Sequence, residues 1–166
     1  DNFTVGLKRV EFLSPNQEYS QGVFAKLVDE CENKDPHRCD VLLSASDFDF
    51  NSFFLVDSKR RLLTYKSKAE FQIEMTKGTV IIHAIRMRNN KIKSFKIVAS
   101  DNKNKKIEKW FELINVREKP MKDDKKSELF ILNQPSPPVR FVRVIQTEPT
   151  WDGDERLIIY HFDIFG

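Results

Sequence analysis

Polar and apolar residues alternate with a period of two along much of this chain. In EFQIEM, residues 70–75, Phe71, Ile73 and Met75 fall on one side and Glu70, Gln72 and Glu74 on the other. That spacing predicts a strand with one face in a core and one in water. TKG follows, where Gly78 can adopt positive φ, and predicts a turn into a second strand over TVIIHAIRMR, residues 79–88. KSFKIVAS alternates again, with Phe95, Ile97 and Ala99 facing one way. KWFELINV, SELFILN, VRFVRVIQT and RLIIYHFDIFG continue the series at spacings set by polar connections. In the last of these the alternation predicts Ile158, Tyr160, Phe162 and Ile164 on one face, with Leu157 and Ile159 on the other.

Helical periodicity is scarce. SQGVFAKLVDEC places Val23, Phe24, Leu27 and Val28 on one side of a helix of about three turns. Many short strands, one short N-terminal helix and polar turns predict an all-β chain, an antiparallel β-sandwich of jelly-roll type. Residues 1–166 read as a single domain, with no repeat and no linker. The lysine-rich stretches at 101–109 and 117–128 read as exposed loops, and NQPSPP, residues 133–138, as a rigid lead into the strand that starts at Val139.

Composition narrows the class without naming a function. The chain has 166 residues, 40% of them hydrophobic and 14 of them Phe, enough for one substantial core. Charged residues make up 32% with a net charge of +3, too mild a balance to point to nucleic acid. Lys59, Arg60 and Arg61, the run from Arg86 to Lys93 and the lysine-rich loops read as solvated faces, so no nucleic-acid partner is expected. No apolar run approaches the roughly 20 residues of a membrane helix. The chain starts at Asp1 without Met or a signal peptide, which predicts a mature form or a fragment of a longer protein. Cys31 and Cys39 fit reduced thiols and a cytoplasmic setting. A bridge between them, and a secreted or cell-surface location, stay open because Asn2-Phe3-Thr4 fits a glycosylation acceptor.

Motifs with defined chemistry are sparse. Asp47, Asp49 and Asn51 alternate like the first half of a calcium loop, but Ser52 and Ser58 stand where Gly and a bidentate Glu belong. They remain weak metal candidates; no cofactor is expected beyond a structural calcium. Cys31, His37 and Cys39 fall short of the four ligands of a closed zinc site. With only five Gly, the chain has no phosphate loop or nucleophile elbow, and His83 and His161 read as packed or edge residues of strands. A non-enzyme is expected.

The end of the chain carries a resemblance. VRFVRVIQT, a Trp-x-Gly turn and LIIYHFDIFG resemble the closing strands of coagulation factor type C, or discoidin, domains, which are galactose-binding-like. The matching positions are Arg140 to Val144 and Asp163, Ile164, Phe165 and Gly166. SFKIVASDN with Trp110 is similar to that family's central motif, departing from it with Ala99 in place of Gly. SQGVFAKLVDEC and the strand after it resemble discoidin-like domains of protist proteins, which sit behind BTB or repeat domains. The resemblance implies a β-sandwich that binds rather than catalyses, through variable loops at one end.

Three readings follow. The first is a recognition module for protein or scaffold contacts, the second a carbohydrate-binding module, the third a binder of anionic membrane surfaces through Met121 and its flanking lysines. Trp151, Asp152, Asp154, Tyr65 and Phe48 are the candidate ligand-binding residues. Trp151-Asp152-Gly153-Asp154 reads as a turn joining the last two strands, with Trp151 expected in the core. An exposed Trp151 makes that turn the first place to look for a ligand.

Overall fold

The computed structural model describes residues 22–30, 41–45, 62–63, 70–76, 78–89, 91–120 and 126–166. Within them lie one α-helix, α1 (Val23–Glu30), and the strands β1 (Val41–Ala45), β2 (Leu62–Leu63), β3 (Glu70–Met75), β4 (Ala84–Asn89), β5 (Phe95–Ser100), β6 (Phe111–Val116), β7 (Glu128–Ile131), β8 (Phe141–Gln146) and β9 (Ile158–Phe165). The strands form a five-stranded sheet ordered β1-β3-β8-β5-β6 and a four-stranded sheet ordered β2-β9-β4-β7. Every pairing is antiparallel. This is the expected all-β sandwich.

The alternation in β3 holds. Phe71, Ile73 and Met75 are buried, and Phe71 and Ile73 lie opposite Val144 and Val142 of β8. Phe95, Ile97 and Ala99 of β5 join them in the core between the sheets. Each of the Phe, Ile and Met side chains contributes about 1.5–3 kcal/mol by leaving water.

Two strand expectations need correction. Residues 79–88 do not form one strand, because only the part from Ala84 onward pairs regularly in a sheet. Val80 bridges Val139, Ile82 N–H donates to Ser136 Oγ at 2.8 Å, and regular pairing in the four-stranded sheet starts at Ala84. In β9 the faces switch partway along. Register jumps from Arg88 opposite His161 to Asn89 opposite Ile159, a bulge that leaves Tyr160 as the extra residue. Leu157 and Ile159 therefore share the main core with Phe162 and Ile164. Tyr160 stays half-buried with the Arg88 guanidinium 4.8 Å above its ring.

The described helix runs 8 residues, about two turns, within the expected stretch, whose residues 20, 21 and 31 lie outside the described residues. Its start explains its position. Gly22 C=O accepts the Lys26 N–H at 3.1 Å but brings no side chain to cap the first turn. Asp163 of β9 supplies the cap from across the fold, accepting Phe24 N–H at 2.8 Å on Oδ1 and Ala25 N–H at 3.1 Å on Oδ2. A Cβ on Gly22 would lie 2.2 Å from Asp163 Cγ, so the cap requires glycine there. Phe24 then stacks on Phe162 in the core, with ring centroids 6.1 Å apart.

A second cluster lies on the outer face of the five-stranded sheet. There Trp110 covers Val98 and Phe141, with Ile107 and Ile145 at its edge. The connection at 101–109 exposes its lysines as expected, and Trp110 anchors it by donating Nε1–H to Lys105 O at 3.0 Å. The 117–128 stretch departs from expectation at Lys119. That side chain is buried against Glu128, with Nζ–Oε1 at 2.9 Å, because a buried ammonium needs a carboxylate partner.

Candidate functional site

The connections that follow β4, β6 and β8 meet at one end of the sandwich. Backbone bonds tie them together: Thr147 N–H to Ser94 O at 3.0 Å, Lys119 N–H to Lys93 O at 2.7 Å, and Trp151 N–H to Lys91 O at 3.0 Å. A surface built from three cross-linked connections on rigid strands is held in place before any ligand arrives.

The turn between β8 and β9 is the most elaborate part of this end. Thr150 N–H donates to Asp154 O and Gly153 N–H to Thr150 O, both at 2.9 Å, with Gly153 at φ 84°. Thr150 Oγ1 donates to the Asp152 carboxylate and accepts Asp154 N–H at 3.0 Å. Asp154 takes Arg156 in a two-pronged grip, at 2.9 Å from Nε and 2.6 Å from Nη2. The Thr150 hydroxyl holds the Asp152 carboxyl below the usual carboxylate range, and Arg156 does the same for Asp154. Lys91 Nζ lies 3.7 Å from Asp152. Both acidic candidates are thus ionised braces of the turn.

Trp151 corrects the expectation of a core residue. It is 41% exposed. Its polar edge is satisfied without burial, since Nε1–H donates to Lys119 O at 2.7 Å. Lys93 Nζ sits 4.9 Å from the ring centroid, a cation–π contact worth about 0.5–1 kcal/mol at an exposed site. Held at its backbone, its indole nitrogen and its ring, Trp151 is a fixed, half-exposed aromatic.

At the same end of the sandwich, at the ends of β5, β6 and β8, opens a cleft of about 480 Å³. Lys96, Asn115, Arg117, Glu118, Thr147 and Glu148 line it around Ser94. Ser94 is buried; its hydroxyl donates to the Glu148 carboxylate and accepts Glu118 N–H at 3.0 Å. Lys93 and Ser94 are neighbours in sequence, so the Trp151 ledge and the cleft share one segment of chain. Together they offer an aromatic surface, cationic donors, an amide and carboxylate acceptors.

The opposite end holds a second cleft, of about 690 Å³, between Trp110 and the Pro137-Pro138 stretch. Trp110 is only 6% exposed there, and Lys105 is tied to Asp101 at 2.9 Å. Ile81 and Ile131, 43% and 55% exposed, lie toward that end of the four-stranded sheet.

Trp151, Asp152 and Asp154 come together at the first end. Tyr65 and Phe48, the metal candidates Asp47, Asp49 and Asn51, and Cys31, His37, Cys39 and Met121 lie outside the described residues. Among the described residues no three His, Cys, Asp or Glu side chains gather as a metal site, and no helix is long and apolar enough to cross a membrane. His83 is exposed and stands one residue before β4. His161 is half-buried beside Ser127 Oγ, 3.4 Å from Nδ1; burial holds its pKa below the usual 6.5, with Arg86 and Arg88 acting the same way. Sequence reasoning missed Lys96, Asn115 and Arg117. Their signal was parity: Lys96 and Asn115 stand at water-facing positions on paired strands, in register with each other.

No protein-family model and no curated protein matches the chain. Solved structures do. The module CBM32-1 of a family 31 glycoside hydrolase from Clostridium perfringens superposes with a TM-score of 0.60 at 16% identity, over 80% of this chain and 100% of the module. The CBM32 of AlyQ in complex with 4,5-unsaturated mannuronic acid gives 0.57 at 11%, over 75% and 93%. Chitosan-binding module 1 of a chitosanase/glucanase from Paenibacillus sp. IK-5 gives 0.54 at 12%, over 75% and 93%. At these identities the likeness establishes the fold alone: the chain is an antiparallel β-sandwich that superposes on these modules.

Proposed function

We propose that this chain is a non-catalytic carbohydrate-binding module that holds its ligand at the Trp151 end. The observation that carries the reading is Trp151 itself, a large aromatic kept half-exposed by three separate contacts at the end that also holds a cleft of mixed donors and acceptors. A sugar ring has an apolar face that suits an aromatic surface, and a rim of hydroxyls that each donate and accept. Asn115, Glu118 and Glu148 supply acceptors, and Lys96, Arg117 and the Asn115 amide supply donors. In this reading Asp152 and Asp154 shape the turn instead of touching the sugar.

The sequence alone ranked protein contacts ahead of carbohydrate. The exposure of Trp151 favours the opposite order, and so do the ligands of the similar modules, a 4,5-unsaturated mannuronic acid and chitosan. Ile81 and Ile131, the apolar residues a protein partner would seek, lie away from the polar cleft.

The test is isothermal titration against a panel of soluble oligosaccharides, with the intact chain and with Trp151→Ala. Binding is expected in the chain, and about 30-fold weaker binding in the variant, the effect of losing about 2 kcal/mol from an aromatic anchor. A panel with no binder, or a Trp151→Ala variant that binds as tightly as the intact chain, overturns the proposal.

A further inference from the structure

Charge pairing at the candidate end is uneven. Lys91, Lys119 and Arg156 each have a carboxylate: Asp152 at 3.7 Å, Glu128 at 2.9 Å and Asp154 at 2.6 Å. Lys93, Lys96 and Arg117 have none within 4.0 Å among the described residues. Lys93 lies over Trp151, whereas Lys96 and Arg117 line the cleft. The cleft also contains Glu118 and Glu148, and Glu148 is already engaged by the Ser94 hydroxyl.

We propose that the ligand is an acidic sugar, a uronate or a sulfated residue, whose anionic group is taken by Lys96 and Arg117 beside Trp151. This deepens the carbohydrate reading and rests on it. Arg117 brings a planar guanidinium that meets a carboxylate or sulfate through two parallel hydrogen bonds, and Lys96 adds a point charge on the same wall. Lys96 is half-buried on its strand, where an ion pair is screened less by salt than at a fully exposed position. Glu118 and Glu148 fit the same ligand through its neutral hydroxyls, which donate to carboxylates. Trp151 serves the apolar face of the ring, and Lys93 adds positive potential over it. A neutral sugar leaves these cations without an ion pair at contact distance; an acidic one pairs them.

The test compares polysaccharides that differ only in charge. Polygalacturonate and alginate oligomers are titrated against their carboxyl-reduced counterparts, and a sulfated galactan against its desulfated form. Polyglutamate serves as a polyanion that is not a sugar. The acidic member of at least one pair is expected to bind about tenfold or more tightly than its neutral partner, the worth of a charge-assisted contact. That preference should shrink as salt rises from about 50 to about 500 mM. Lys96→Gln combined with Arg117→Gln should erase the preference, bringing the acidic and neutral members to equal affinity, and Lys109→Gln, at the far end, should change nothing. Equal binding of acidic and neutral members overturns this inference and leaves the carbohydrate reading standing. No binding of any sugar overturns both. Polyglutamate bound as tightly as the sugars shows charge attraction alone and overturns the acidic-sugar assignment.

Discussion

Replacing Asp163 with Asn isolates the energetics of a buried charge that ties the helix to the sandwich. Asp163 is 2% exposed, and its carboxylate accepts three backbone N–H groups, those of Phe24, Ala25 and Ile164. Burial raises its pKa from 3.8 to about 6, against the lowering effect of those hydrogen bonds and of Arg86. The folded state therefore holds a proton that the unfolded state releases near pH 3.8. Between that pH and about 6 the folded chain binds more protons, so this group's contribution to stability falls as pH rises. At about 1.4 kcal/mol per pH unit, the whole fall is about 3 kcal/mol and is complete somewhat above pH 6. Asp163→Asn keeps one acceptor oxygen, cannot ionise, and turns an amide N–H2 toward one helix N–H. Urea unfolding followed by tryptophan fluorescence, at steps from about pH 3.5 to 7.5, gives the stability of each protein. Other carboxylates titrate alike in both and cancel in the difference. Wild type should lose about 3 kcal/mol relative to the variant across that range. A difference that stays flat with pH refutes the account of Asp163 as a strongly desolvated cap.

The glycines give a graded test. Gly22→Ala puts a Cβ 2.2 Å from Asp163 Cγ and should lower stability by about 2 kcal/mol, a melting shift of about 4–8 °C in calorimetry. Gly78→Ala meets nothing within 4 Å and should stay within about 0.5 kcal/mol of wild type. Gly153→Ala meets no atom either, but its φ of +84° should cost about 1 kcal/mol. His161 should show the opposite pH sense to Asp163. Burial depresses its folded pKa, so its contribution is fully present above about pH 6.5 and is lost as pH falls below that value through the folded pKa. A proton NMR titration of the imidazole should place its midpoint below 6.5, and a midpoint at or above that value contradicts the burial argument.

The legible parts of the fold were those set by near neighbours in sequence. The alternation at Glu70–Met75 predicted its strand because each side chain's face depends only on its own parity. Parity failed at β9, where one bulged residue, Tyr160, moved Leu157 and Ile159 to the core side. Nothing within the run marks that residue, since the bulge is a property of its pairing with β4. Asp163 was legible as part of a closing motif and illegible as a cap, because its helix partner is 139 residues away. The turn at 150–154 was readable from Gly153. The exposure of Trp151 was not, because the carbonyl that satisfies its indole belongs to Lys119, on another connection. For the same reason Lys96, Asn115 and Arg117 became a site only when strand order brought β5, β6 and β8 side by side.

The central claim is that carbohydrate binds at the end of the sandwich that carries Trp151. Amide chemical-shift mapping by NMR, with the chain titrated by the oligosaccharide it retains most strongly, tests it most directly. Shifts should concentrate at residues 91–96, 115–119 and 147–152 and include the Trp151 indole N–H. Residues 101, 105, 109–112 and 139, at the far cleft, should stay still. Shifts confined to the far cleft, or scattered without a focus while Trp151 is silent, contradict the account.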